Sequence, residues 1–119
     1  MRVILDTGVF YRPESLKALT GQTPIVPAVV YLERLRQLRR DGRSEDEFND
    51  VLAGLRMVVE PFGREQAARV PKLSDADWRR LARDAMIAGH LKEGDMLWTT
   101  NPKDFLALGI PARQIIVLP

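Results

Sequence analysis

The sequence predicts an α/β fold in which helices cover both faces of a central parallel sheet of about five strands. Short apolar runs that end at turn residues alternate with segments whose apolar residues recur at helical spacing. Parallel neighbouring strands need crossover connections, and the helical segments supply them. A length of 119 residues leaves room for one domain, so we expect residues 1–119 to form a single domain.

The first predicted elements are a buried strand, a short helix and a second strand. Val3–Leu5 form a continuous apolar run that ends in Asp6-Thr7-Gly8, which is typical of a strand that opens into a turn. A short helical stretch follows over residues 13–19, begun by a proline and closed by a glycine. Ile25–Val26, between two prolines, is the second strand candidate.

The middle of the chain predicts two amphipathic helices, a strand and a short helix. The first helix begins at Ala28 and ends near Asp41-Gly42, and its apolar residues recur at three-residue steps, namely Val29, Leu32, Leu35 and Leu38. Ser44 and Glu47 have the spacing of a capping box, and the expected buried stripe of their helix is Phe48, Val51, Leu52 and Leu55. Met57–Val59 then predicts a strand, and residues 65–70 a helix that a proline ends.

The last third contains the longest helical pattern. Ser74 begins it, and the residues expected on its buried face are Trp78, Leu81, Ala85, Ala88 and Leu91. Met96–Trp98 is a strand candidate. A short helix follows in which Asn101 suits the N-cap, Pro102 the first position and Asp104 the third. Ile115–Leu118 is the last predicted strand.

Composition excludes several kinds of site. The chain has no cysteine, which excludes disulfides, thiolate nucleophiles and cysteine zinc sites, and a single histidine, His90, cannot form a polyhistidine site. We expect His90 to be a partly exposed helix residue and Asp95 a turn residue. No apolar run is long enough for a membrane helix, and Asp6 interrupts the N-terminal one too early for a secretory signal. The expected location is therefore the cytoplasm, without membrane contact.

Four acidic residues are candidate ligands for a divalent metal. Asp6 and Asp104 come just after strand candidates, where the crevice of a parallel sheet lies. Glu33 lies early in its helix, and Asp84 stands among apolar helix residues, where a carboxylate needs a partner. Carboxylates that converge repel one another, and Mg²⁺ or Mn²⁺ relieves that repulsion because both prefer oxygen ligands. Such a site supports hydrolysis of phosphodiesters.

Each of these acids also has a purely structural interpretation. Asp6 could bond the turn that follows it, and Asp104 could serve its helix N-terminus. Partners within the same helix are available for the other two, namely Arg36 or Gln37 for Glu33 and Arg80 for Asp84. Spacing alone leaves both interpretations open.

Arginines are concentrated in two stretches, although the net charge is only +2. The first stretch holds Arg34, Arg36, Arg39, Arg40 and Arg43, and the second holds Arg79, Arg80 and Arg83. Basic patches of this kind could contact RNA phosphates, above all through Arg34, Arg36, Arg39 and Arg40. The competing interpretation is that arginine is a good helix former on solvated faces.

Four segments together resemble the motifs of PIN-domain ribonucleases, in particular VapC-type toxins of toxin–antitoxin modules. The segments are VILDTGVF, VVYLERL around Glu33, RDAMIAGH around Asp84 and TTNPKDF around Asp104, and they occur in the family's order. The resemblance implies a three-layer α/β/α sandwich with a five-stranded parallel sheet. It also implies an acidic centre of Asp6, Glu33, Asp84 and Asp104 that binds Mg²⁺ or Mn²⁺, with Thr99 and Asn101 in support.

By the same resemblance, the chain is expected to be an endoribonuclease that cleaves RNA, forms a homodimer and is neutralised by a cognate antitoxin. The sequence departs from the family pattern at Gly8, where Asn or Ser is frequent, and in a shorter stretch between Asp6 and Glu33. One alternative is a catalytically weak PIN-like module that binds RNA or a protein. A second is a structural α/β domain with four unrelated acids.

Overall fold

The five predicted strands form one parallel sheet in the computed structural model, which describes residues 1–119. The strands are β1 (Arg2–Leu5), β2 (Thr23–Pro27), β3 (Val58–Glu60), β4 (Met96–Thr99) and β5 (Ile115–Val117). Their order is β3-β2-β1-β4-β5, and every neighbouring pair is parallel. The chain leads from β1 outward to β2 on one side and later returns to β4 on the other. The carboxyl ends of β1 and β4 therefore flank the switch point at which such sheets bind ligands.

Six α-helices connect the strands and give the predicted α/β/α architecture. They are α1 (Pro13–Lys17), α2 (Ala28–Arg40), α3 (Glu45–Gly54), α4 (Arg64–Arg69), α5 (Asp75–Ala88) and α6 (Lys103–Ala107). Short 3₁₀ segments follow β1 and precede β5, at Thr7–Tyr11 and Ala112–Gln114. None of these helices has both the length and the apolar surface that crossing a bilayer requires.

Local signals in the sequence determine several of these boundaries. The hydroxyl of Ser44 accepts hydrogen bonds from the backbone N–H groups of Asp46 and Glu47, and that of Ser74 accepts one from Asp77. Both serines are thus the N-caps that the sequence predicts, since each satisfies N–H groups that lack partners in the first helical turn. The core centres on β1, where Ile4 and Leu5 are completely buried.

Three of the predicted helix faces are partly wrong. In α2 the buried residues are Val30, Leu35 and Leu38, whereas Leu32 is 52% exposed. Residues three apart are separated by about 300° around a helix of 3.6 residues per turn, so a strict three-residue stripe drifts away from the core. Val51 in α3 and Trp78 in the first turn of α5 are likewise exposed.

The prediction that His90 is partly exposed is wrong. Its side chain is completely buried, and Nδ1 lies 2.7 Å from Oε1 of Glu60. Glu60 also accepts hydrogen bonds from Arg2 and Gln66, and Arg2 pairs with Asp95. Partial burial raises the pKa of Glu60, but the hydrogen bonds from His90, Arg2 and Gln66 outweigh it and hold the pKa below its usual range. The predicted turn at Asp95 is confirmed, because its carboxylate accepts the backbone N–H of Lys92.

We expect the free energy of unfolding to fall as the pH drops below about 6.5, the usual pKa of histidine. Burial lowers the pKa of His90 in the folded chain, so the unfolded chain binds a proton more readily in this range. His90→Gln should lower stability at pH 7.5 and flatten the pH dependence between pH 7.5 and 5.5. Urea unfolding of both proteins at these two pH values measures the effect. An equally steep dependence in the variant would assign it to another group.

Candidate active site

Asp6 lies at the carboxyl end of β1, where the chain leaves the sheet for a 3₁₀ segment. Its carboxylate is buried, and Oδ1 accepts the backbone N–H of Thr7 at 2.8 Å, so Asp6 caps that segment. Oδ2 accepts a hydrogen bond from the hydroxyl of Thr99 at 2.7 Å. The interpretation that Asp6 bonds the turn that follows it is thus correct. One of its carboxylate oxygens is held by Thr7, just after β1, and the other by Thr99, at the end of β4.

Thr99 and Asn101 follow the adjacent strand. Thr99, the last residue of β4, is completely buried, and its hydroxyl accepts the backbone N–H of Asn101 at 3.1 Å while donating to Asp6. The predicted N-cap at Asn101 is wrong. Helix α6 begins at Lys103, the position before it is Pro102, and no side chain caps it. The backbone bond to Thr99 instead places Asn101 in the loop between β4 and α6.

Three of the four predicted acids converge on one positive group, the guanidinium of Arg83. Its Nε lies 2.7 Å from Oε2 of Glu33, its Nη2 lies 2.8 Å from Oδ1 of Asp6, and its Nη1 lies 2.5 Å from Oδ1 of Asp84. The acids come from α2, the end of β1 and α5. Their convergence beside the switch point forms an acidic centre, which here denotes Asp6, Glu33 and Asp84.

The hydroxyl of Thr7 links Glu33 of the acidic centre to Arg83. Its hydroxyl donates to Oε1 of Glu33 at 2.9 Å and accepts from Nη2 of Arg83 at 2.8 Å. Sequence reasoning missed both Thr7 and the central position of Arg83. The available signals were a hydroxyl directly after Asp6 and an arginine directly before Asp84 in an otherwise apolar helix segment.

The helical pairings considered as alternatives are not the ones that form. Glu33 bonds Arg83 and Thr7 rather than Arg36 or Gln37, and Asp84 bonds Arg83 rather than Arg80.

Asp104 is not part of the acidic centre. Its Oδ1 lies 3.4 Å from Nη1 of Arg80, which also pairs with Asp77. Asp104 nevertheless lies close enough to Asp84 for its charge to contribute to the pKa of that residue. The fourth predicted acid therefore lies at the rim, with an arginine of its own.

The electrostatics of the acidic centre follow from partial burial. Burial raises the pKa of Asp84, and the negative charges of Asp6 and Asp104 add to this effect against the opposing attraction of Arg83. Burial disfavours the charged form of Arg83, but hydrogen bonds and charges from Glu33 and Asp6 outweigh it, so its pKa lies above the usual value. Arg83 is therefore a permanent cation among three carboxylates.

The side chains of the acidic centre are of the type that a hard divalent cation prefers, because all three offer carboxylate oxygens. The guanidinium is a stand-in cation, and it marks the point where the acidic centre binds positive charge. With Arg83 in this position, no three acidic or histidine side chains are arranged to hold a metal ion directly. The oxygens that face the centre are instead bonded to Arg83.

Contacts divide the four arginines predicted to bind RNA into two pairs. The guanidinium of Arg34 packs on the rings of Tyr11 and Phe48, at 5.0 and 6.0 Å from their centroids, and Arg39 pairs with Glu45. The other pair, Arg36 and Arg40, is exposed and lines an open groove with Glu33 and Gln37. Nε of Arg40 also lies 3.7 Å from Oδ1 of the exposed Asp41. This basic groove, defined by those four residues, adjoins the acidic centre through Glu33.

The unusual Gly8 is explained by a close approach of the chain. A Cβ at this position would lie 2.3 Å from the hydroxyl oxygen of Thr100. Thr100 thus occupies the space that a side chain at position 8 would need.

Comparisons with known proteins agree with the fold. A family model described as PIN domain matches residues 3–110. A chain of the crystal structure of VapBC2 from Rickettsia felis, bound to a DNA fragment from their promoter, superposes with a TM-score of 0.70 at 18% identity over 100% of both chains. A chain of a toxin–antitoxin complex from Klebsiella pneumoniae gives a TM-score of 0.69 at 19% identity, over 97% of this chain and 96% of that one. No curated protein matches the sequence.

Proposed function

This chain belongs to the PIN domain family, and we propose that it is a cytoplasmic endoribonuclease that hydrolyses RNA phosphodiester bonds with Mg²⁺ or Mn²⁺. The observation that carries the proposal is the convergence of Asp6, Glu33 and Asp84 on a single cation beside the switch point of the sheet. Separate structural roles for these acids do not require them to share a cation.

The residues of the acidic centre have distinct roles in this proposal. Asp6, Glu33 and Asp84 would hold the divalent ion through carboxylate oxygens, and Thr7 and Thr99 orient two of these carboxylates by hydrogen bonds. A bound divalent cation supplies a water of lowered pKa and positive charge beside the phosphate oxygens. We assign Asp84 to accept the proton of the attacking water, since burial raises its pKa above the usual range of an aspartate.

The basic groove gives the RNA backbone a path to the acidic centre. Arg36 and Arg40 are exposed there, and Glu33 belongs to both features. Phosphates bound along the groove would lead the scissile bond toward Asp6 and Asp84. Arg34 and Arg39 are already engaged with aromatic rings and Glu45, so we assign them to the fold.

Replacing both Arg36 and Arg40 by Gln should weaken RNA binding and flatten its salt dependence by about 1 to 1.5 in the log–log slope. Each phosphate contact to a single strand contributes about 0.7 to that slope through counterion release. Fluorescence anisotropy with a labelled RNA from 50 to 300 mM KCl measures it. Arg39→Gln is the matched control and should leave the slope unchanged. An unchanged slope in the double variant would make Arg36 and Arg40 ordinary surface residues.

We also propose an antitoxin as partner, because both structural neighbours are toxin–antitoxin assemblies. A pocket beside α2 and α3 would accept part of that partner. Its lining is mixed, with five apolar residues, Phe10, Leu16, Leu38, Phe48 and Val51, beside Arg34, Arg43, Ser44 and Glu47. Homodimer formation would use the exposed Trp78. Light scattering at micromolar concentration distinguishes a dimer from a monomer.

The test of the proposed activity is cleavage of a labelled structured RNA by the purified chain with Mg²⁺, Mn²⁺ or chelator. We expect internal cleavage with either metal and none in chelator. Glu33→Gln should abolish it, whereas Glu45→Gln, which changes an acid paired with Arg39, should not. Metal-independent cleavage, or equal cleavage by both variants, would contradict the proposal.

The position of Arg83 favours one alternative, a catalytically weak PIN-like module that binds RNA or a protein. A permanent cation in the acidic centre would then have a structural role. The same assay decides, since this alternative predicts RNA binding without metal-dependent cleavage.

A further inference from the structure

Arg83 bonds all three carboxylates of the acidic centre, whereas a surface ion pair joins one cation to one carboxylate. Each of its three nitrogens bonds a different carboxylate, and Nη2 also bonds the hydroxyl of Thr7. The contacts are 2.5 to 2.8 Å long, as expected for charge-assisted hydrogen bonds. The arginine therefore has the coordination that a bound cation would have.

The individual oxygens show what a divalent ion would have to replace. Arg83 takes Oδ1 of Asp6, Oε2 of Glu33 and Oδ1 of Asp84. The second oxygens of Asp6 and Glu33 accept from Thr99 and Thr7. Hydroxyl groups thus hold the second oxygens of Asp6 and Glu33, and a metal ion that binds the oxygens facing Arg83 must take the place of the guanidinium.

We propose that Arg83 is a built-in counter-cation that competes with the divalent metal for the acidic centre and moves outward when the metal binds. This inference rests on the proposed function, because it assumes that the acidic centre binds Mg²⁺ or Mn²⁺. In the metal-free chain Arg83 neutralises part of the repulsion among three carboxylates. The measured metal affinity of the chain is then the affinity of the free acidic centre for the metal, lowered by the competition from Arg83.

The side chain of Arg83 is able to move without disturbing the helix. It is 38% exposed, whereas the side chain of Asp6 is 8% exposed, so the guanidinium reaches the acidic centre from the solvent side. Rotation about its side-chain bonds moves the charge into water while the backbone of α5 stays in place. Two cations at the same oxygens would repel each other, which makes binding of metal and guanidinium mutually exclusive.

The test is direct measurement of Mn²⁺ binding, without RNA, by the electron paramagnetic resonance signal of free Mn²⁺. We compare the wild-type chain with Arg83→Gln, Arg83→Lys and, as a matched control, Arg80→Gln. If the guanidinium occupies the acidic centre in nine chains of ten or more, its removal should tighten Mn²⁺ binding about tenfold or more. Lysine, with one nitrogen in place of three, should give an intermediate affinity. Arg80→Gln should change the affinity less than about twofold, because Arg80 pairs with Asp104 at the rim.

A second readout covers the case in which Arg83→Gln does not fold. In ¹⁵N-labelled wild-type protein, titration with diamagnetic Mg²⁺ should shift the Nε–H resonance of Arg83 and increase its exchange with water. Metal binding that leaves this resonance unchanged, or folded Arg83 variants with wild-type or weaker affinity, would overturn the inference while leaving the proposed ribonuclease intact. If neither the wild type nor any variant binds Mn²⁺, both the inference and the metal-dependent function are wrong.

Discussion

Replacing Asp6 by Asn should reduce metal-dependent RNA cleavage at least about a hundredfold while leaving the chain folded. Asp6 is the most buried of the three converging acids and bonds both Thr99 and Arg83. A metal site contributes several kcal/mol to transition-state stabilisation, and each 1.4 kcal/mol is a factor of ten in rate. Asparagine keeps one oxygen to cap the 3₁₀ segment but removes the charge. Initial cleavage rates at saturating Mn²⁺, with circular dichroism of the same samples, measure both parts.

Asp95→Asn is the matched control for this variant. Asp95 is as buried as Asp6, at 5%, but it precedes β4 and pairs with Arg2, away from the acidic centre. Its replacement should lower stability by about 1 to 3 kcal/mol, as expected when a charged hydrogen-bond partner is lost, and leave cleavage within about threefold of wild type. Equal losses of activity in both variants would mean that Asp6 acts only through the fold.

The strands and their order of appearance could be predicted because their signals are local. The apolar run Val3–Leu5, followed by a turn, predicts a buried strand, and all three residues are buried in β1. The predicted strands differ from the structure by one or two residues at their ends, because strand pairing includes polar residues such as Thr23, Glu60 and Thr99 that lie outside the apolar runs. Helix faces were less predictable, since the neighbours of α2 decide which side of the helix is covered.

The acidic centre was predictable only in part. The position of Asp6 follows from the order of elements, because the ends of parallel strands meet at one edge of the sheet. Glu33 and Asp84 lie on helices, and only the family resemblance grouped them with Asp6. The position of Arg83 follows from side-chain contacts with residues 6, 33 and 84, and the local signal, an arginine before Asp84, does not show which distant acids it contacts. A cluster of arginines in the sequence therefore contained one residue that faces inward and others that face water.

The burial of His90 and the requirement for Gly8 also depend on distant parts of the chain. His90 is enclosed by contacts with Glu60 and Phe62, about 30 residues away. Gly8 is needed because Thr100, after β4, fills the adjacent space. Helical spacing cannot reveal either constraint, since both arise where elements separated in sequence pack together.

Asp84→Asn should reduce cleavage about a hundredfold or more, whereas Asp104→Asn should reduce it less than about tenfold. Asp84 bonds the cation of the acidic centre, whereas Asp104 pairs with Arg80 at the rim. A carboxylate that holds the metal contributes several kcal/mol, and one that acts across the rim contributes a fraction of that. Parallel cleavage assays of the two variants, on the same RNA and at the same Mn²⁺ concentration, measure the ratio.

The thermal stability of Asp84→Asn without metal also tests whether Asp84 is a metal ligand. Burial raises the pKa of Asp84 in the folded chain, so its ionisation lowers stability as the pH rises above the usual pKa of an aspartate, and this cost is present at pH 7. Removing the charge should leave the Tm in chelator unchanged or raise it by up to about 3 °C. A loss of many degrees would mean that the bond to Arg83 outweighs the repulsion among the acids. Asp84 would then be mainly a structural partner of that arginine, and the hundredfold loss of cleavage could not be assigned to metal binding.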